Sequence, residues 1–210
     1  MNTTQKKIVF AIAEAALLAL GMLIVPLFLA IDILFFKNRV SEISLTQVTQ
    51  EALLFASAAM FGIRAWRRPE AREFLVLVSG FIVCMFIREL DEFFNLVSDG
   101  FWVWPALISA AASIGYAMTC RGTVIEPMGR YVGTKSQIFV LIGLTVVLVF
   151  SRVIGSGHLF WRHIMGGSYT PLFKNAIQEG LEFLGYIFIF YGACLLLCQR
   201  EDAEGCQKSS

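Results

Sequence analysis

Histidine is almost missing from this chain: His158 and His163 are the two in 210 residues. That scarcity excludes a zinc site built on several histidines, and the Glu-x-x-His spacing of di-iron helical bundles is absent. Charge is scarce as well. Asp, Glu, Lys and Arg make up 16% of the residues, against roughly a quarter in soluble domains. The formal net charge is +1, and no basic block or aromatic–basic interleaving occurs, so nucleic acid is not an expected partner. None of the five cysteines (Cys84, Cys120, Cys194, Cys198, Cys206) forms a Cys-x-x-Cys pair, which removes zinc ribbons and thioredoxin-like redox chemistry. Cys194 and Cys198 lie in an apolar stretch, where a free thiol packs as a small hydrophobe. There is no Walker or dinucleotide loop. Alternating polar–apolar segments of about ten residues, the mark of a membrane barrel, are missing too.

Apolar residues fill the space. They make up 57% of the chain, more than a water-facing fold of this size buries. Six stretches each supply the roughly 20 apolar residues with which a helix crosses hydrocarbon, all its backbone polar groups bonded internally. They run from about 8–34, 46–65, 73–95, 102–120, 135–154 and 171–198. The expected fold is therefore all-α: a polytopic membrane protein, with a single domain over 1–198 built as a bundle of six transmembrane helices joined by short loops. A polar cytoplasmic tail is expected at 199–210. The first apolar run continues from Ile8 to about Phe36, longer than the ~7–15-residue core of a signal peptide, and reads as a retained helix. Pro26 marks a kink, Ser44 or Thr46 an N-cap, and Pro171 a first helical turn.

Orientation follows from the basic residues of the short loops. Lys6, Lys7, Arg64, Arg67, Arg68, Arg72, Arg121, Arg130, Lys135, Arg200 and Lys208 fall on one side, against Lys37, Arg39, Arg152, Arg162 and Lys174 on the other. This bias puts both termini in the cytoplasm and suits a bacterial inner membrane. Trp102, Trp104 and Trp161 then fall at the outer boundary, where indole rings favour the interface.

Three segments interrupt the hydrocarbon pattern: QEALLF at 50–55, RELDEF at 88–93 and QEGLEF at 178–183. At ~1.5 Å per residue, Glu51 and Glu179 lie roughly 8–12 Å below the outer surface, and Glu182 roughly 16 Å. Glu89 reaches the same level from the opposite direction. Arg88, Asp91 and Glu92 share a face at helical spacing, as do Asn175, Glu179 and Glu182. An ionisable group facing lipid at such depth costs at least about 2.5–3.5 kcal/mol. Glu51, Arg88, Glu89, Asp91, Glu92, Glu179 and Glu182 are therefore expected to line a polar pocket in the outer half of the bilayer. Asp32, Asn175 and the loop residues His158, Arg162 and His163 are candidates to join it. The ligand class this pocket suits is a small cation, a proton or a polar headgroup, with the bilayer itself as partner. More acids are present than Arg88 neutralises, which leaves a proton or a divalent cation to balance them. Two alternatives stand beside this reading: an outward-facing membrane hydrolase using His158 or His163, and an accessory subunit whose ion-paired helices meet a membrane partner or a second copy. In the last case Arg88 simply ties Glu51, Glu179 or Glu182 together.

The octapeptide SRVIGSGH, residues 151–158, resembles the third signature of the phosphatidic-acid-phosphatase lipid phosphatases, in which Ser-Arg precedes a His by five residues. The resemblance implies a six-span fold, phosphate bound by Arg152, and His158 as nucleophile. The chain departs from the family pattern at Arg162, where the signature has Asp. It departs again at Phe61, where the Lys of the first signature would precede Arg68–Pro69.

Overall fold

A computed structural model of the chain describes residues 3–35, 44–119, 124–156, 161–166 and 169–198. Every regular element among them is helical. The elements are α1 (Thr3–Phe35), α2 (Leu45–Arg67), a 3-10 turn (Pro69–Ala71), α3 (Arg72–Glu89), α4 (Asp91–Asn95), α5 (Val103–Thr119), α6 (Ile125–Tyr131), α7 (Lys135–Thr145), a π turn (Val146–Phe150), α8 (Ser151–Ile154), α9 (Arg162–Met165) and α10 (Pro171–Cys198). Helix runs through all six apolar stretches. Three of these segments are long and apolar enough to cross a membrane: Thr4–Leu34, Lys135–Ile154 and Pro171–Cys198.

One expected helix is interrupted. Residues 73–95 read as a continuous helix, but the chain turns at Leu90, whose ψ of 16° swings its peptide out of helical register. RELDEF is thus two helix ends rather than one. Arg88 stands in the last turn of α3, and Asp91 and Glu92 stand in the first turn of α4. Each charge complements the partial charge of its helix end. The turn also ends the shared face expected for Arg88, Asp91 and Glu92.

The chain divides into two compact units, Met1–Thr49 with Thr145–Ile187, and Gln50–Leu144 with Phe188–Ser210. In the first unit, α1 and α10 run antiparallel. Gly21 approaches Ile187, Gly180 approaches Leu29 and Val25, and Phe28 meets Phe183 with ring centroids 5.9 Å apart. The positions of α1 that are not exposed fall at 14, 18, 21, 25, 28, 29, 31 and 32, a largely 3-4 spacing that makes a narrow seam. Beyond Lys7 the exposed surface of α1 is apolar, including Leu17, Leu20, Leu23 and Leu27. Such a surface suits hydrocarbon rather than water. A Cβ on Gly180 would fall 2.9 Å from Leu29 Cδ1, so the small residue permits the close crossing.

The second unit uses the same device. A Cβ on Gly80 would fall 1.9 Å from Ser113 Oγ, where α3 crosses α5. A Cβ on Gly192 would fall 2.7 Å from Val140 Cγ2, where α10 crosses α7. Hydroxyls reinforce these crossings. Ser136 Oγ donates to the Gly192 carbonyl at 2.7 Å, Tyr131 Oη lies 2.9 Å from Ser136 Oγ, and Ser79 Oγ donates to the Ala58 carbonyl at 2.9 Å. Interhelical hydroxyl bonds of this kind contribute about 0.6–2 kcal/mol each where lipid replaces water.

Candidate functional site

Two buried carboxylates stand out in the first unit. Asp32, 8% exposed, lies near the end of α1. Its Oδ1 accepts the Leu45 N–H at 3.0 Å, and its Oδ2 accepts the Thr46 N–H at 3.0 Å and the Thr46 hydroxyl at 2.6 Å. Ser44 Oγ accepts the Gln47 N–H at 3.0 Å. The first three amide donors of α2 are thus taken by two side chains, and the negative charge of Asp32 sits at the positive end of the helix. Ser44 is the N-cap, and Asp32 completes the cap from a different helix.

Glu182, 6% exposed, is held differently. Its Oε1 lies 3.1 Å from Ser151 Oγ, 3.3 Å from Gln178 Nε2 and 3.4 Å from an Arg152 guanidinium nitrogen. Gln178 is one turn earlier on α10, whereas Ser151 and Arg152 open α8. The π turn immediately before them adds one residue to the helical repeat and so resets which side chains face inward. Ser151 is fully buried as a result, while Arg152 remains 46% exposed. Gly155 lets the two segments approach: a Cβ there would fall 2.9 Å from Gln178 Cγ and 2.3 Å from the Ser151 carbonyl.

The hydrogen count at Ser151 is informative. Ser151 Oγ lies within donor distance of both the Val147 carbonyl, at 2.8 Å, and Glu182 Oε1, at 3.1 Å. A hydroxyl has one hydrogen and two lone pairs. With Glu182 ionised, Ser151 donates to one of these oxygens at a time. With Glu182 protonated on Oε1, the carboxyl donates to Ser151, and Ser151 donates to Val147. Both protonation states therefore have a hydrogen-bonded arrangement at this serine.

The remaining expected residues are distributed as follows. Glu179 is half-buried and Asn175 exposed, so polarity along α10 grades inward to Glu182. Glu51, Arg88, Glu89, Asp91 and Glu92 belong to the second unit, where Arg88 is ion-paired with Glu89, its neighbour in the chain. Asp91 is half-buried and Glu92 exposed. Arg162 and His163 are exposed on α9, which ends at Gly166 with φ of 52°, and the Arg162 guanidinium lies 6.0 Å above the Tyr169 ring. His158 lies outside the described residues. Among the described residues, no three His, Cys, Asp or Glu side chains gather to hold a metal ion. Sequence reasoning gave Ser151 and Arg152 no part in the pocket. Besides the SRVIGSGH resemblance, their signal is a polar pair inside an apolar stretch, FSRVIG.

Comparison of the chain with protein-family models, with curated proteins and with solved structures finds no match.

Proposed function

We propose that the chain is a multi-pass integral membrane protein in which Glu182 is a proton-binding carboxyl. In this reading the six apolar helices cross the bilayer as one domain, with both termini in the cytoplasm of a bacterial cell. The apolar surface of α1 and the bias of Lys and Arg support that arrangement. The observation that carries the site is the convergence of Ser151, Gln178 and Arg152 on one oxygen of a buried carboxyl. Ionisable side chains within membrane helices mark proton or ion pathways when they meet such partners. Arg152 balances the ionised state and is itself half-exposed. Ser151 offers the protonated state an acceptor.

Infrared difference spectroscopy on the full chain in lipid vesicles tests this. A protonated-carboxyl band should grow on acidification and vanish in Glu182→Gln, and that variant should lose any proton flux the wild type carries. A carboxyl band that is the same in wild type and Glu182→Gln would reduce the Glu182–Arg152 pair to a tie between helices.

A further inference from the structure

We propose that Arg152 is a shared counter-ion: an anionic phospholipid headgroup takes Arg152 from Glu182, and Glu182 takes up a proton in exchange. This rests on the reading that Glu182 binds a proton.

The seat for the headgroup is local to the ends of α8 and α10. Trp161 Nε1 donates to the Ile154 carbonyl at 2.6 Å, and its ring meets Phe173 edge-on with centroids 5.0 Å apart. One indole therefore fastens the end of α8 to the first turn of α10. Three cations adjoin this clamp in the chain. Arg152 precedes Ile154 by two residues, Arg162 follows Trp161, and Lys174 follows Phe173. Within 145–187 the acids are Glu179 and Glu182, both further along α10. The cations of this stretch thus precede its acids along the chain.

The position suits a lipid rather than a soluble anion. Two membrane-length segments meet here, one ending at Ile154 and the other beginning at Pro171. Indole and phenol rings with Lys and Arg collect at headgroup level, and guanidinium pairs well with phosphate oxygens. Val153, Ile164 and Leu172 are exposed apolar side chains interleaved with these cations, which gives acyl chains a surface beside the charge.

The exchange balances. Before it, Arg152 is paired with ionised Glu182. After it, Arg152 is paired with the phosphodiester, and Glu182 carries a proton drawn from water. The site gains one anion and one proton, with no other bond made or broken. The ionisable groups of the first unit's helices, besides Glu182, are Arg152 on α8, Arg162 and His163 on α9, Lys174, Glu179 and Tyr186 on α10, and Lys6, Lys7, Glu14 and Asp32 on α1. Asp32 is committed to the α2 cap. By linkage, lipid that promotes protonation must bind more tightly at low pH, by the same factor.

The test uses the full chain in phosphatidylcholine nanodiscs, titrated with short-chain phosphatidylglycerol while the carboxyl band and a pH dye are read. Phosphatidylglycerol should increase the Glu182 band and take up protons, and its affinity should fall about tenfold as pH rises through the Glu182 transition. Glu182→Gln should bind it with no pH dependence. Arg162→Gln and Lys174→Gln, which leave the Arg152–Glu182 pair in place, should weaken binding severalfold and leave the band's own titration intact. They keep the test open if Arg152→Gln does not fold. A Glu182 band that titrates normally but ignores phosphatidylglycerol would overturn the exchange alone. Absence of the Glu182 band would overturn the proton reading beneath it. Short-chain phosphatidylcholine or inorganic phosphate acting as well as phosphatidylglycerol would overturn the anionic lipid as occupant.

Discussion

Asp32 and Glu182 are buried almost equally and belong to the same unit, yet their surroundings differ in kind. Asp32 is gripped on both oxygens, by two backbone amides and a hydroxyl. Backbone amides at a helix start are fixed in direction by the helix itself. Glu182 is approached on Oε1 by three side chains. A side chain has other rotamers, and Ser151 has an alternative acceptor in Val147. The difference teaches what makes a buried acid structural or exchangeable. Depth of burial does not decide it. The freedom of the donors does.

The strongest way to break the comparison is Asp32→Ala. It strands buried donors at the start of α2 and should cost about 3 kcal/mol, more than a routine cap deletion. Asp32→Asn keeps one acceptor and should cost less. Thermal unfolding of the purified chain in detergent reads both. Gly155→Ala comes next. Its Cβ would press on the Ser151 carbonyl and on Gln178, so about 1–3 kcal/mol of overpacking is expected, with the Glu182 carboxyl band shifted as Gln178 moves. Glu182→Gln should cost less than about 1 kcal/mol, because the charge left behind is the half-exposed Arg152. If Glu182→Gln unfolds the chain as badly as Asp32→Ala, the two acids are alike and the contrast fails.

The smallest effects sharpen the contrast by setting its background. Burial pushes the Tyr131 phenol above its ordinary value, partly offset by the bond with Ser136. Its stabilisation is therefore present at neutral pH and lost as pH rises past the ordinary tyrosine range, and Tyr131→Phe should remove that alkaline slope. Glu70 is held below the usual carboxylate range, by a backbone hydrogen bond first and by Arg68 as well. Its small contribution is present above the ordinary value and lost as pH falls below the depressed one. Glu70→Gln should flatten that acid slope in a denaturation series. Acid-side changes that survive Glu70→Gln and vanish in Glu182→Gln belong to the buried carboxyl.

The helical class was legible because apolar length and backbone hydrogen bonding leave long apolar stretches few alternatives. The cap of α2 was legible to within two residues, with Ser44 and Thr46 both expected and Ser44 taking the role. The seam of α1 was not. A helix that is apolar all round gives no moment to say which face packs, and in retrospect the seam is marked by its exceptions: Glu14, Gly21 and Asp32. The turn at Leu90 was also hidden, since nothing in RELDEF breaks a helix by composition. The company of Glu182 was hidden most deeply. Nothing in the sequence marked Arg152 and Ser151, 31 residues away in the chain, as side chains that meet its carboxyl.

By itself, then, the sequence determined the all-helical class, the long apolar stretches that let helices cross a membrane, and the need for buried acids to find partners. Tertiary structure alone decided which partners. A carboxylate's cost in hydrocarbon is a property of the residue, but its relief depends on which side chains a π turn and a glycine contact bring within hydrogen-bonding distance.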